Sequence, residues 1–149
     1  MAGKLKVKIE ENIILDNQDY GSKRVFEISS IANITKKIVT IAGDDDATVL
    51  VFKSTTASAD SALDLQTVKY IRITNLDDTN ALGVILEDTG GDVAAITVPA
   101  DMSFILTSAD IEANAGGSAV TTRDGAIDEI FLRADSANVQ AEIVVATTE

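Results

Sequence analysis

Residues 4–9 alternate polar and apolar, Lys-Leu-Lys-Val-Lys-Ile, at the two-residue period of a strand with one buried side. The lysines on the other side discourage edge-to-edge aggregation. Further β-like runs follow at 12–15, 23–31, 36–41 and 48–53, bounded by turn residues such as Asp16-Asn17, Tyr20-Gly21 and Gly43-Asp44-Asp45-Asp46. Residues 54–64 are small and hydroxylated and predict a loop, with at most one helical turn around 60–65. The best-organised part is the middle, where 68–75, 82–87, 93–98 and 103–107 are spaced as four successive strands of a meander. Asp77-Asp78-Thr79-Asn80, Gly90-Gly91 and Pro99-Ala100-Asp101 supply its connections. Glycine provides the positive φ of a tight hairpin, and the single proline sits at a strand end where its missing N–H interrupts no ladder. After a second loop, 111–125, two closing strands are predicted at 127–133 and 139–145, joined by 134–138.

About ten short antiparallel strands with almost no helical period predict an all-β fold, an antiparallel β-sandwich or jelly roll whose two sheets bury their apolar sides against each other. The alternation assigns Ile9, Val25, Ile28, Ile38, Ile41, Val49, Val51, Ile71, Ile73, Val84, Leu86, Ile96, Val98, Phe104, Leu106, Ile130, Leu132, Ile143 and Val145 to the core. A length of 149 residues with 46% hydrophobic content predicts a single domain over 1–149, with 1–16 as an extended N-terminal contact strand.

Composition narrows the chemistry. The chain contains no histidine, cysteine or tryptophan, so the usual proton shuttle near neutral pH and the usual thiol nucleophile and zinc ligand are missing together. Its apolar runs are a few residues long, against the roughly 20 that cross a bilayer as a helix. The first residues lead into alternation and not into an apolar block, which predicts synthesis in a cytoplasm without a signal peptide. A net charge of −12 opposes nucleic-acid backbones and anionic membranes. That charge is uneven. The first 37 residues hold seven bases and five acids, a balance of +2, leaving five bases against nineteen acids, −14, for the remainder. The N-terminal part is therefore suited to lean on an acidic surface such as a neighbouring copy, or to stand as a solvated face.

Three groups of residues could carry chemistry. Asp88-Thr89-Gly90, after the apolar Val84-Ile85-Leu86, resembles an aspartic protease active-site loop. One copy in the chain demands a homodimer so that two carboxylates share a proton, and Gly91-Asp92 departs from that family's pattern. The alternative is a hairpin turn. Asp44-Asp45-Asp46, Asp77-Asp78 and the stretch from Asp124 to Glu129 could donate oxygens to calcium, although none matches a twelve-residue EF-hand loop and Asp is also an ordinary turn residue. Gly90-Gly91 and Gly116-Gly117 lack the Lys-Ser/Thr of a phosphate-binding loop, and no base accompanies the serines and threonines. No catalytic residue, metal ligand or cofactor is assigned.

The stretch Tyr70-Ile71-Arg72-Ile73-Thr74-Asn75-Leu76-Asp77, followed by Val84-Ile85-Leu86, Ile96-Thr97-Val98-Pro99-Ala100 and Ser103-Phe104-Ile105-Leu106, resembles small structural proteins of tailed bacteriophages over about a quarter of the chain. The resemblance is one of composition and order and carries over no individual residue. It implies a non-enzymatic capsid decoration or cement protein, found in the virion and binding copies of itself and a major capsid or other virion protein. In such a role many weak contacts repeated by symmetry add up. Lys4, Lys6 and Lys8 are the expected protein-contact residues, with loops 54–64 and 111–124 as further contacts. A receptor- or glycan-binding β-sandwich on a tail fibre or cell surface is the alternative, against which the 4% aromatic content weighs. The homodimeric protease using Asp88 stands behind both.

Overall fold

The computed structural model describes residues 2–53, 63–88, 90–107 and 127–149, and among them every regular element is a strand. In chain order these are β1 (Gly3–Glu11), β2 (Ile14–Leu15), β3 (Gln18–Asp19), β4 (Ser22–Ile41), β5 (Asp45–Lys53) and β6 (Leu63–Asp64). The second half holds β7 (Val68–Asn75), β8 (Leu82–Asp88), β9 (Val93–Val98), β10 (Ser103–Leu106), β11 (Ile127–Ala134) and β12 (Val139–Thr148). The protein is all-β.

One layer is a five-stranded antiparallel sheet in the order β1-β4-β12-β7-β10, and the other contains β11-β8-β9. β5 runs beside β11. Contacts advance from Asp44 to Thr48 while retreating from Ala134 to Glu129, through Asp44 N–H to the Ala134 carbonyl (2.9 Å), Arg133 to Asp46 (3.3 Å) and Thr48 to Glu129 (3.4 Å). Alternation places one side of each strand inward. Ile71, Ile73, Ile143 and Val145 of the first layer meet Leu82, Val84, Ile130 and Leu132 of the second, and Phe52 is fully enclosed with them in one apolar core.

Twelve of the assigned core residues are buried. Ile28, Val51 and Phe104 are half-buried. Ile9, Val25, Ile38 and Ile96 are exposed, because among the described residues the second face of each of their strands has no covering layer, or only part of one. In β5 the burial falls on Leu50 and Phe52 as well as Val49, so the inward register is offset from the expected 49 and 51.

Two expectations about order require correction. The runs at 23–31 and 36–41 are a single 20-residue strand, β4. The four strands of the middle are not a meander either. β8 and β9 form the hairpin, turned at Gly91 with φ +84°, but β7 pairs with β12 and β10 in the other sheet. Connections 76–81 and 99–102 therefore cross between layers. Of the loop expected at 54–64, with at most one helical turn around 60–65, residues 54–62 lie outside the described residues; Leu63–Asp64 form β6, followed by a turn at 65–67. Loop 111–124 lies outside them as well.

Candidate interaction surface

β4 changes partners midway. Its residues from Ser22 to Ile31 pair with β1 on one edge, and those from Ile31 to Ile41 pair with β12 on the other. At the changeover β4 carries extra residues against both neighbours. Leu5 faces Ile28 while Gly3 faces Ile31, and Thr147 faces Asn33 while Thr148 faces Ile31. Ser30 sits there with φ 62°, a left-handed conformation uncommon for a residue with a Cβ. Bulges of this kind bend a strand and increase its local twist.

The bend sends β1 and the first half of β4 back over the outer face of their own sheet. Leu5, Val7, Phe26, Ile28 and Ile31 pack there against Tyr70 and Ala146 as a second, smaller apolar cluster. Ala146 is completely buried on a face that would otherwise be solvated. A cleft of about 280 Å³, lined by Leu5, Lys6, Val7, Lys8, Tyr70, Arg72 and Val144, remains between arm and sheet.

Beyond this base the two strands continue without support, and every residue from 8 to 25 is exposed. At a rise of about 3.3 Å per residue, the six residues from Lys8 to Ile13 carry the ribbon about 20 Å beyond Val7, the last buried residue of β1. Its end is closed by the β2–β3 hairpin, Ile14 opposite Asp19 and Leu15 opposite Gln18. Asp16 (φ 52°) and Asn17 (φ 61°) occupy the two left-handed positions that a two-residue hairpin turn requires. The neck is tight. A Cβ on Gly21 would lie 2.6 Å from the Glu11 carbonyl oxygen, so only glycine fits, and its N–H donates to Asp19 Oδ1 at 2.8 Å.

The tip presents Ile13, Ile14 (73% exposed), Leu15 (60%) and Tyr20 on a ten-residue hairpin. Four large apolar side chains held clear of the body have no part in the fold's own core. Around them, residues 10–22 hold four acids, Glu10, Glu11, Asp16 and Asp19, and no base. The aliphatic run 12–15 was visible in the sequence only as a strand; nothing in its period marks it as unburied.

Lys4, Lys6 and Lys8 alternate with Leu5 and Val7 along β1, and Lys6 and Lys8 also border the cleft. Lys4 and Lys6 both approach Glu27, at 3.8 and 3.9 Å, and Lys8 pairs with Glu10. All three are well exposed, so these pairs are weak and the ammonium groups remain accessible. They lie along the arm's stem and do not converge with the tip.

The uncovered part of the outer sheet face is set by register. Lys36, Val144, Arg72 and Ile105 form one row, and Ile38, Glu142, Thr74 and Ser103 the next. Glu142, 15% exposed, takes Lys36 at 2.8 Å and is paired with Arg72. The hydrogen bond from Lys36, with the charges of Lys36 and Arg72, holds the Glu142 carboxyl below its usual range against the opposing effect of burial. Arg72 Nε is buried without a hydrogen-bond partner among the described residues. Ile34 and Ile38 flank Lys36 and are exposed. From 28 to 43 the chain carries two lysines and no acid.

The other candidate groups are engaged in turns. Asp88 Oδ1 accepts the N–H groups of Gly90 (2.8 Å) and Asp92 (2.9 Å), which makes this carboxylate the organiser of the β8–β9 hairpin. Asp77 Oδ1 accepts from the backbone of Asn80 and Thr79, which lower its pKa in that order. Asp46 meets Arg133, and Asp78 takes the Thr79 hydroxyl. Among the described residues no three acids converge in the manner of a cation site. Asn75, which the sequence did not single out, is fully buried. Its Nδ2 donates toward the carbonyls of Asn80 (2.8 Å), Val98 (3.2 Å) and Pro99 (3.2 Å), and its Oδ1 accepts from Asp77 N–H (3.0 Å). It ties the end of β7 to both crossing connections. No family model matches the chain, and no curated protein matches it.

Proposed function

We propose that this protein is a non-enzymatic structural subunit of a phage particle, a decoration or cement protein that attaches through its projecting arm. The observation that carries this reading is the apolar tip: four large exposed side chains carried about 20 Å or more along a two-stranded stem beyond its last packed residue. A fold gains nothing for its own stability by holding such a patch in water, and patches of this kind mark contact sites. A narrow apolar projection suits insertion between neighbouring subunits of a shell, where each weak contact is multiplied by symmetry. The polar groups that could have formed a reaction centre, Asp88 and Asp77 among them, are engaged by backbone amides in turns. The partners under this reading are further copies of the chain and a shell protein.

The test is mass spectrometry of particles purified from cells that carry the gene. The chain is expected at a fixed, high copy number relative to the major shell protein, and particles lacking it are expected to release their contents at lower temperature. Its absence from purified particles overturns the proposal.

A further inference from the structure

We infer that the arm tip of one copy docks on the outer face of β4 in a second copy, seating Ile14 and Leu15 against Ile34 and Ile38. The inference rests on the structural-subunit reading and names the partner of its arm. Two surfaces on the chain fit each other. The tip is apolar and acidic, with four acids and no base over 10–22. The receiving strip is apolar and basic, Ile34 and Ile38 exposed on either side of Lys36, with no acid from 28 to 43 and Arg72 one strand beyond Val144 in the same row. Glu142 is the one acid in that row pattern, and it is already held by Lys36 and Arg72. Opposite charge around matched apolar centres favours this register and disfavours the alternatives, since tip against tip brings eight carboxylates together.

Backbone chemistry agrees. Among the described residues, β4 beyond Ile31 has β12 on one edge and no partner on the other, and an unpaired edge accepts an added strand. The acids at the tip also separate this surface from a membrane anchor, because anionic headgroups repel them. Two copies that exchange arms bury both patches at once, which doubles the area available to a contact that one hairpin alone would leave small.

The experiment is sedimentation velocity of the full chain from micromolar to millimolar concentration, with Ile14→Ser, Ile38→Ser and Lys36→Glu variants beside it. All three positions are exposed, and retained circular dichroism confirms that each variant folds. Self-association is expected for the native chain, weakened about tenfold or more by each of the three changes and recovered when Asp16→Lys is combined with Lys36→Glu. Because the chain has no cysteine, Leu15→Cys and Ile38→Cys chains can be mixed and oxidised; the expected product is the disulfide between the two different variants. A chain that remains monomeric throughout, or a Leu15→Cys chain that crosslinks to itself in preference to Ile38→Cys, overturns the inference. If the chain is nonetheless abundant in purified particles, the tip's partner is another shell protein and the structural role stands without this contact.

Discussion

Asn75 and Ser30 show how much of this fold hangs on single residues that no periodicity marks. Asn75 supplies donors to three carbonyls that lie inside the molecule, so Asn75→Ala leaves them without that partner and is expected to cost about 2–3 kcal/mol in urea unfolding. Asn75→Asp is more diagnostic. It removes the donors and places a carboxylate among carbonyl oxygens, which raises its pKa in the folded state. A folded state that binds the extra proton gains stability as pH falls, so this variant should lie closer to the native protein at pH 4 than at pH 7. A deficit independent of pH would mean that the side chain does not sit among those carbonyls. At Ser30 the left-handed backbone reverses the usual strand preferences. Ser30→Val, favourable in an ordinary strand, should destabilise by about 1–2 kcal/mol, while Ser30→Gly is tolerated. If valine is as stable as serine in urea unfolding, the bend at 29–32 is not built on that conformation.

At the scale of elements, the strand positions were largely legible and their partners were not. The alternation in 4–9, the Gly90-Gly91 hairpin and the four middle strands follow from patterns that depend on neighbours along the chain. Which sheet a strand joins depends on where its connection leads. The connections at 76–81 and 99–102 cross the sandwich because Asn75 and the Asp77 turn aim them there, and turn residues report a turn without its direction. Ile9, Val25 and Ile38 lie outside the core that alternation predicts for a related reason: a strand's apolar face looks the same whether or not another layer covers it. Lys4, Lys6 and Lys8 are exposed as their alternation predicts, but nothing in the sequence marks the tip, since Ile13, Ile14 and Leu15 resemble any short buried strand. Glu142 joins β4, β12 and β7 by its pairs with Lys36 and Arg72, and the pH dependence of that link has a definite sign. Its folded-state pKa is depressed below 4.5, as that of Asp77 is below 3.8, so both contributions are complete above those values and disappear as pH falls through the lower folded ones. Thermal unfolding should therefore weaken below about pH 4.5, with a shallower decline in Glu142→Gln; identical profiles would remove Glu142 from this account.

For the whole molecule, two apolar clusters of different size predict two levels of protection. The sandwich core joins both layers through one continuous set of side chains and should unfold in a single transition, whereas residues 9–25 of the arm are all exposed. Amide hydrogen exchange is expected to be fast from 10 to 23 and slow in β7, β8, β11 and β12. The two tyrosines report separately, Tyr20 at the tip and Tyr70 beneath the arm's base. In a Tyr20→Phe variant the remaining fluorescence should change together with circular dichroism on heating; an earlier fluorescence change would mean that the arm's base opens before the sandwich does.

β4 is also one strand, bent at its middle, from the neck of the tip to the sandwich. If the tip is anchored and the body pulled away, the load first peels the arm's base from Tyr70 and Ala146 and straightens the bend at 29–32, and only then reaches the antiparallel ladder between Ile31↔Thr148 and Ile41↔Val139 lengthwise. Hydrogen bonds loaded in that direction share the force and fail together, whereas a ladder pulled from one end opens a bond at a time. The bent 20-residue strand thus suits the arm to act as a tether that yields first at its base and then resists sliding.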